Sequence, residues 1–208
     1  MEQVNKFILR GTIVNLNISN RVATVRIAVE GGKGITNFPV IVFFDTSLLT
    51  GFGVRQRVVI KGHTQNQMRQ SPHDPKKRVT QTILVADSII PAKRMLLDYF
   101  SEVDIPVTEG GAPNDMNSVI WVGSVLNIYT PDEKNTISFL RVGYKNGEIH
   151  RQCDFSCFDR IHTYVRNLEL GQEVAVVGKV TTSSKEINGQ TVYYQNIIAQ
   201  DVFSPSLE

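Results

Sequence analysis

The stretch VNKFILRGTIV, residues 4–14, decides the fold, because a related stretch, NSVIWVGSV, recurs at residues 117–125. Each is an apolar run that reaches one glycine, Gly11 or Gly123, and then continues as a second apolar run. This pattern is typical of a β-strand with a bend or a close backbone approach at the glycine. The recurrence indicates that one chain contains the same structure twice.

Four further segments recur in the same order along the chain. They pair VATVRIAV (22–29) with NTISFLRV (135–142), FPVIVFFD (38–45) with QCDFSCFD (152–159), RVVIKG (57–62) with VAVVGK (174–179), and QTILVAD (81–87) with QNIIAQD (195–201). The offset between the copies drifts only from 112 to 116 residues across the five elements. A fixed order and a nearly fixed offset indicate a tandem duplication.

The sequence pattern of each copy predicts five strands, with one helix-like segment between the third and the fourth strand. That segment is TSLLTGF (46–52) or RIHTYVRNLEL (160–170), and Asp45 and Asp159 are its predicted N-caps. Five strands with a helix at this place predict an all-β fold class with short helices, built as two tandem oligonucleotide-binding (OB) folds, which are five-stranded Greek-key barrels.

The predicted domains are residues 1–92 and 117–208, joined by a linker over residues 93–116 that is rich in glycine, proline and acidic residues. The segment AKRMLLDYF (92–100) is either a short amphipathic helix or a plain spacer.

Composition favours a globular protein, since 41% of the 208 residues are hydrophobic. No apolar run approaches membrane-spanning length and the N-terminus lacks a signal-peptide pattern, so we expect a cytoplasmic protein. The net charge of +2 is unevenly spread. Residues 1–104 carry 14 Lys and Arg against 8 Asp and Glu, or +6, whereas residues 105–208 carry 8 against 12, or −4. This asymmetry favours a polyanionic partner for the first half.

The first copy resembles the core of the bacterial single-stranded DNA-binding proteins. The resemblance rests on VNKFILRGTI, VATVRIAV, TNFPVIVFF and QRVVIKG, in that order and spacing. It implies a barrel that wraps single-stranded DNA (ssDNA) over its outer sheet, usually with four barrels per assembly, and hence a homodimer of this chain. In such proteins rings stack on bases and cations contact phosphates.

The candidate ssDNA-binding residues combine positions matched to that family with cations and a ring on neighbouring strands and loops. They are Lys6, Arg26, Lys33, Phe38, Phe44, Arg69, Lys76, Lys77, Arg78, Tyr144, Lys145, Phe158, Lys185 and Tyr193. The second copy has Ser118 and Gln152 in place of Lys6 and Phe38.

Several positions at which the family has rings carry cations here, including Lys33, Arg69 and Lys185. Phosphate contacts lose affinity steeply as salt rises, whereas stacking on rings is much less sensitive to salt. The exchange therefore predicts binding that is sequence-tolerant, weaker than the norm of the family and unusually salt-sensitive.

Other chemistry is less well supported by the residues. Cys153 and Cys157, near His150 and His162, loosely resemble a metal cluster, but their spacing along a strand favours core packing on one face with Phe155 between them. No catalytic pattern stands out, so neither an enzyme nor a cofactor is predicted. The single tryptophan, Trp121, is interpreted as a core or interface residue, with base stacking as the alternative.

Three functions remain open. The first is ssDNA binding during replication, recombination, or plasmid or phage DNA handling. The second is an OB scaffold in which one or both barrels bind proteins, an alternative that the acidic second copy supports as an assembly unit. The third is RNA binding. The chain ends at DVFSPSLE directly after its predicted last strand, without the acidic tail usual in the family. Recruitment of proteins through such a tail is therefore not expected.

Overall fold

The computed structural model describes residues 2–30, 35–70, 76–92, 115–131, 136–146, 149–187 and 190–204. Lys33 and most of the predicted linker, with all but the first residue of its predicted helix, lie outside these ranges. Within the described residues, no helix is long and apolar enough to cross a membrane.

The first copy forms a closed barrel. Its strands are β1 (Val4–Ile18), β2 (Ala23–Glu30), β3 (Thr36–Asn37), β4 (Val40–Phe43), β5 (Arg57–Gln70) and β6 (Arg78–Pro91), with a 3-10 helix at Thr46–Leu49. Strand β1 pairs with β2 and β5, β2 pairs with β4, and β4 runs parallel to β6, which neighbours β5. The predicted third strand is split into β3 and β4 around Pro39, which has no N–H to donate to a ladder.

The second copy repeats this ring of strands. Its elements are β7 (Met116–Tyr129), β8 (Ile137–Asn146), β9 (Ile149–Phe158), helix α1 (Asp159–Val165), β10 (Glu173–Ile187) and β11 (Gln190–Phe203). Strand β7 pairs with β8 and β10, β8 pairs with β9, and β9 runs parallel to β11, which pairs with β10. The predicted all-β class with two tandem OB barrels is confirmed.

The duplication extends to the hydrogen-bond register. Gly11 lies opposite Val58 and Gly123 lies opposite Val174, so both first strands pair with the fourth at the same place. Each first strand also has a register shift two residues after its glycine, beginning at Ile13 or Val125. Shared irregularities of this kind are stronger evidence of duplication than shared apolar runs, because a bulge is a specific local feature.

The pairing register of β2 and β8, the second strands of the two copies, corrects their sequence alignment. Asn15 pairs with Arg26 in the first copy, and Asn127 pairs with Arg141 in the second. The sequence alignment of VATVRIAV with NTISFLRV placed Phe139 opposite Arg26 and was therefore wrong by two residues. Apolar alternation has a period of two, so a shift of two leaves the pattern almost unchanged and sequence alone does not reveal it.

The prediction that the strand glycines allow close backbone approach is confirmed. A Cβ atom on Gly11 would lie 2.2 Å from the carbonyl oxygen of Ala28, and one on Gly123 would lie 2.6 Å from that of Gly143. At Gly62 the contact would be 1.9 Å from the carbonyl oxygen of Val85. Only a residue without a Cβ fits at such distances.

Each barrel has its own apolar interior. Burial alternates with the period of two along β2, and other strands, such as β4, are buried over several consecutive residues. In the first copy the buried side chains include Leu9, Ile27, Phe43, Ile60 and Leu84. In the second they include Trp121, Leu140, Phe155, Val176 and Ile197.

The two predicted helix caps differ in outcome. Asp45 is confirmed as an N-cap, because its Oδ1 accepts hydrogen bonds from the backbone N–H of Ser47, at 3.0 Å, and from its hydroxyl, at 2.6 Å. Asp159 is not an N-cap. It is the first residue of α1, with φ +48, and the extended Phe158 occupies the cap position without a side-chain hydrogen bond.

When residues are grouped by how close they lie in space, the chain divides into two compact units that do not follow the predicted domain boundary. One contains the described residues of Met1–Lys6, Thr64–Ile83 and Ser118–Glu208, and the other contains those of Phe7–His63 and Leu84–Asn117. The outer part of the β5–β6 hairpin thus groups with the second copy. Proximity does not measure independent folding, so the boundaries at 92 and 117 stay a prediction.

Candidate nucleic-acid interface

Two exposed rings share the outward face of the first barrel. Along Asn37–Phe44, Phe38 and Phe44 are exposed and Val40 is half-buried, whereas Ile41, Val42 and Phe43 are buried. The period of two along a strand places Phe38, Val40 and Phe44 on the outward side and Ile41 and Phe43 in the core. Phe38 is 42% exposed and Phe44 is 57% exposed. Rings that are this exposed on a sheet surface can stack with flat ligands.

Arg26 belongs to the same face. It pairs with Val40 on one side and with Asn15 on the other, so its side chain leaves the sheet on the side of Phe38 and Phe44. Sequence alone left the orientation of β2 uncertain by one residue, and the register now settles it. A guanidinium on the same face as two exposed rings is the combination that can contact phosphate and stack with bases on one surface.

The N-cap at Asp45 positions Phe44. The hydrogen bonds from Ser47 hold the carboxylate at the start of the 3-10 helix, directly after Phe44, and they lower the pKa of Asp45. Strand β4 therefore ends at a defined turn, and Phe44, the first residue after the strand, is held between the strand and the cap.

The corresponding face of the second barrel has a different charge. Arg141 occupies the position of Arg26, but the residue across from it is Asp154, where the first copy has Val40. Asp154 accepts two hydrogen bonds, from Arg141 Nε at 2.6 Å and from Nη2 at 3.0 Å. This bidentate pair raises the pKa of Arg141 and neutralises its charge locally.

Two rings on this second face were missed by sequence reasoning. Tyr129 pairs with Phe139, and their rings stack with centroids 6.2 Å apart and an interplanar angle of 21°. Phe158, which the sequence did predict, lies on the next strand at the position diagonal to Phe139. The exposed fractions are 56% for Tyr129 and 38% for each phenylalanine. The misaligned second strand concealed Phe139, and Tyr129 lies where the first copy has Asn17, which offered no aromatic signal.

Tyr144 and Lys145 point to opposite sides of β8. Tyr144 shares its side with the inward-facing residues and packs against Trp121, with ring centroids 5.3 Å apart. Lys145 is exposed and shares the outward face with Arg141. Trp121 is fully buried, and its indole N–H donates to Thr64 Oγ1 at 2.8 Å. The interpretation of Trp121 as a core or interface residue is confirmed.

The remaining predicted cations are spread over the edges of one compact unit. Arg69 ends β5, with its Nε donating to Gln67 Oε1 at 3.1 Å, and Lys76, Lys77 and Arg78 lead into β6. Lys6 is exposed on β1. Tyr193 and Lys185 lie in the β10–β11 hairpin on opposite faces, because Tyr193 pairs with Ser184.

The cysteines lie in the core of the second barrel. Cys153, Phe155 and Cys157 point inward along β9, as the alternation predicted, and both thiols are free. Burial raises the pKa of Cys153 strongly and that of Cys157 to about 12. Among the described residues, no three potential metal ligands come together.

Fold and surface together define a tandem OB-fold protein with exposed rings and cations on its outer sheets. Its similarity to known structures agrees. The wild-type single-stranded DNA-binding protein from Thermus aquaticus aligns with 100% of this chain and 96% of its own, at a TM-score of 0.62 and 13% identity. A deletion and substitution mutant of the same protein aligns with 99% of this chain and 96% of its own, at a TM-score of 0.62 and 14% identity.

Smaller structures align with one part of the chain. The mitochondrial single-stranded DNA-binding protein Rim1 of S. cerevisiae covers 42% of this chain and 94% of its own, at 20% identity and a TM-score of 0.36. No protein-family model and no curated protein sequence matches. The predicted likeness to bacterial single-stranded DNA-binding proteins is confirmed as a likeness of fold.

Proposed function

We propose that this protein binds ssDNA without sequence preference, through base stacking and phosphate contacts on the outer sheets of its barrels. The observation that carries the proposal is the shared outward face of Arg26, Phe38 and Phe44 in the first copy. Stacking tolerates any base, because every base has a π-face, and a guanidinium contacts the backbone of any sequence. The fold shared with a single-stranded DNA-binding protein supports the same conclusion.

The wider biological role is inferred from the resemblance of the sequence to the bacterial single-stranded DNA-binding proteins. Coating of single strands during replication, recombination, or plasmid or phage DNA handling fits sequence-independent binding. A homodimer with four barrels fits the usual assembly of the resembled family, and light scattering on the free protein tests it. A molar mass of one chain or of four chains would contradict the dimer.

Binding to fluorescent oligo-dT, followed by anisotropy, tests the proposed function. Phe38→Ser and Phe44→Ser each remove one ring, and stacking contributes about 1–3 kcal/mol per base. We expect each variant to bind roughly 5- to 150-fold more weakly than the wild type. Val54→Ser, which changes an exposed apolar residue outside this face, is the matched control and should bind as the wild type does.

Competition between the labelled oligo-dT and unlabelled nucleic acids distinguishes the alternative functions. Oligo-dT should displace the labelled strand far better than duplex DNA does, because bases in a duplex are not free to stack on protein rings. Displacement by oligo-U at lower concentrations than by oligo-dT would assign the protein to RNA instead. Failure of the wild type to bind either strand would favour the protein scaffold and overturn the proposal.

A further inference from the structure

We propose that the outer face of the second barrel is a separate stacking site for unpaired bases, formed by Tyr129, Phe139 and Phe158, and that Asp154 keeps it from contacting phosphate through Arg141. This inference rests on the proposed ssDNA binding and extends it to a site with different chemistry. It gives the two copies different contributions: cation and rings in the first, rings with a neutralised cation in the second.

The geometry of the rings supports a stacking site. Tyr129, Phe139 and Phe158 lie on three neighbouring strands, on one face, at directly opposite or diagonal positions. Such neighbours are about 4.5–8 Å apart, which is within reach of aromatic contact. The Tyr129 and Phe139 rings are nearly parallel to each other and more than a third of each is exposed. Exposed, ordered rings offer flat surfaces at little cost in side-chain entropy.

The first copy has Phe44 at the position of Phe158 but lacks the other two rings. Its residues at the same register are Asn17 and Thr24, which pair as Tyr129 and Phe139 do. The ring pair is therefore a feature of the second copy and not a requirement of the barrel, because the same strands form the same ladder without it. A structural explanation by core packing does not apply either, since both rings are on the outside.

The outer faces of the two barrels differ in charge. Arg26 and Arg141 occupy equivalent positions, but Val40 lies across from the first and Asp154 lies across from the second. The Arg141–Asp154 pair has two hydrogen bonds, at 2.6 and 3.0 Å, and a phosphate would have to replace both. Asp154 also repels phosphate directly. We infer that the second face gains affinity from stacking and has little dependence on salt.

A docked protein is the other occupant that three exposed rings could accept. An unpaired base fits better, because the rings lie on the OB outer sheet and Phe158 has the register of Phe44 in the duplicated barrel. The flanking charge is also balanced and not acidic, with Lys145 on the same face beyond the Arg141–Asp154 pair.

Residue exchange between the copies tests the site in the full-length chain. Tyr129→Asn and Phe139→Thr install the residues that the first copy has at the same register, so both are compatible with the barrel. We expect the double variant to bind oligo-dT at least about 5-fold more weakly than the wild type. The salt slope, which is the slope of log affinity against log salt concentration, should be unchanged. Circular dichroism and thermal unfolding verify that the fold is kept.

Asp154→Val tests the electrostatic part by installing the residue of Val40. Release of Arg141 should add about one phosphate contact, which steepens the salt slope by about 0.7 for a single strand. A tenfold rise in salt should then weaken the variant about fivefold more than it weakens the wild type. Glu169→Gln makes the same change in net charge at an exposed position after α1 and is the matched control, with the slope of the wild type. Asp154→Asn, which keeps the shape of the side chain, should shift the slope in the same direction as Asp154→Val.

The outcomes separate this inference from the proposed function. If the wild type binds oligo-dT but the ring variants bind equally well, the second face does not stack bases and the inference is wrong, while ssDNA binding stands. If Asp154→Val and Asp154→Asn change the slope no more than Glu169→Gln does, the proposed role of Asp154 is wrong. If the wild type does not bind ssDNA, the proposed function itself fails.

Discussion

Trp121 illustrates how the position of a single residue limits its function. Its ring is fully buried, its N–H is hydrogen-bonded to Thr64 and its face packs against Tyr144. A buried ring with a satisfied donor contributes packing energy and a polar anchor, but it does not offer a surface to a base. The rings available for stacking are phenylalanines and tyrosines on the outside.

We therefore predict that ssDNA binding leaves the fluorescence of Trp121 nearly unchanged. A base that stacks on an indole quenches its emission, whereas a base that stacks on Phe38 or Phe139 does not reach Trp121. Emission at 295 nm excitation, recorded during a titration with oligo-dT, measures this. Acrylamide should also quench the native protein weakly and the unfolded protein strongly. Strong quenching by oligo-dT with unchanged acrylamide access would contradict the buried position.

The buried thiols predict a specific dependence of stability on pH. Burial raises the pKa of both Cys153 and Cys157, so the folded protein keeps them protonated, whereas the unfolded chain ionises them near about pH 8.5. Above that pH the folded state binds more protons than the unfolded state, and stability falls as pH rises. The stabilisation is fully present below about pH 8.5 and decreases by about 2 kcal/mol per thiol by pH 10.

Urea unfolding between pH 7 and 10 measures this effect. The double variant Cys153→Ala with Cys157→Ala should lose less stability over that range than the wild type, by up to about 4 kcal/mol. The comparison uses only the change with pH, so the packing cost of the substitutions cancels. Parallel pH profiles for the two proteins would show that the thiols ionise in the folded state.

At the scale of the element, the glycines explain how long strands belong to a small closed barrel. Gly11 and Gly123 lie against the backbone of the second strand, and Gly62 lies against the backbone of β6. These contacts join the first, second, fourth and fifth strands at the points where the barrel is tightest. The same positions carry glycine in both copies, since Gly178 corresponds to Gly62 and pairs with the first strand in the same register.

Gly62→Ala should destabilise the protein by about 3 kcal/mol or more, because the new Cβ would overlap the carbonyl oxygen of Val85 and the ring of Phe7. Gly53→Ala is the matched control, since no atom lies within 4 Å of a Cβ placed there. We expect Gly53→Ala to change stability by less than about 1 kcal/mol. Equal unfolding midpoints in urea for the two variants would contradict the close approach at Gly62.

Sequence predicted the elements well because each strand has a clear apolar period and each copy supports the other. The five predicted strands of each copy and both helical segments were located from VNKFILRGTIV outward, and Asp45 was correctly identified as a cap. Pairing register was not predictable, since a shift of two residues preserves the apolar pattern. That shift concealed the equivalence of Arg26 with Arg141 and left Phe139 out of the site.

The candidate site was predicted in part. Phe38, Phe44 and Phe158 were found by resemblance, and the structure places all three on outward faces. Tyr144 was placed in the site because an aromatic residue after the second strand matches the family, but its side of β8 faces Trp121. Asp154 carried no signal in the sequence, because its effect depends on the cross-strand partner, which only the ladder defines.

For the whole molecule, duplication followed by divergence accounts for the uneven charge. The first half has a net charge of +6 and the second −4, and the same contrast recurs locally at Val40 and Asp154. A long-range attraction to phosphate therefore originates mainly from the first half. The second copy has exposed rings, and the stacking on bases that we propose for them needs little help from charge.

The salt dependence of ssDNA binding tests the central claim most directly. The affinity of the full-length protein for fluorescent oligo-dT is measured by anisotropy from about 50 to 500 mM salt, with Arg26→Gln and the matched control Arg55→Gln. We predict binding by the wild type that weakens as salt rises, a slope shallower by about 0.7 for Arg26→Gln, and the slope of the wild type for Arg55→Gln. Absence of binding at low salt, or an affinity that does not change with salt, would contradict it.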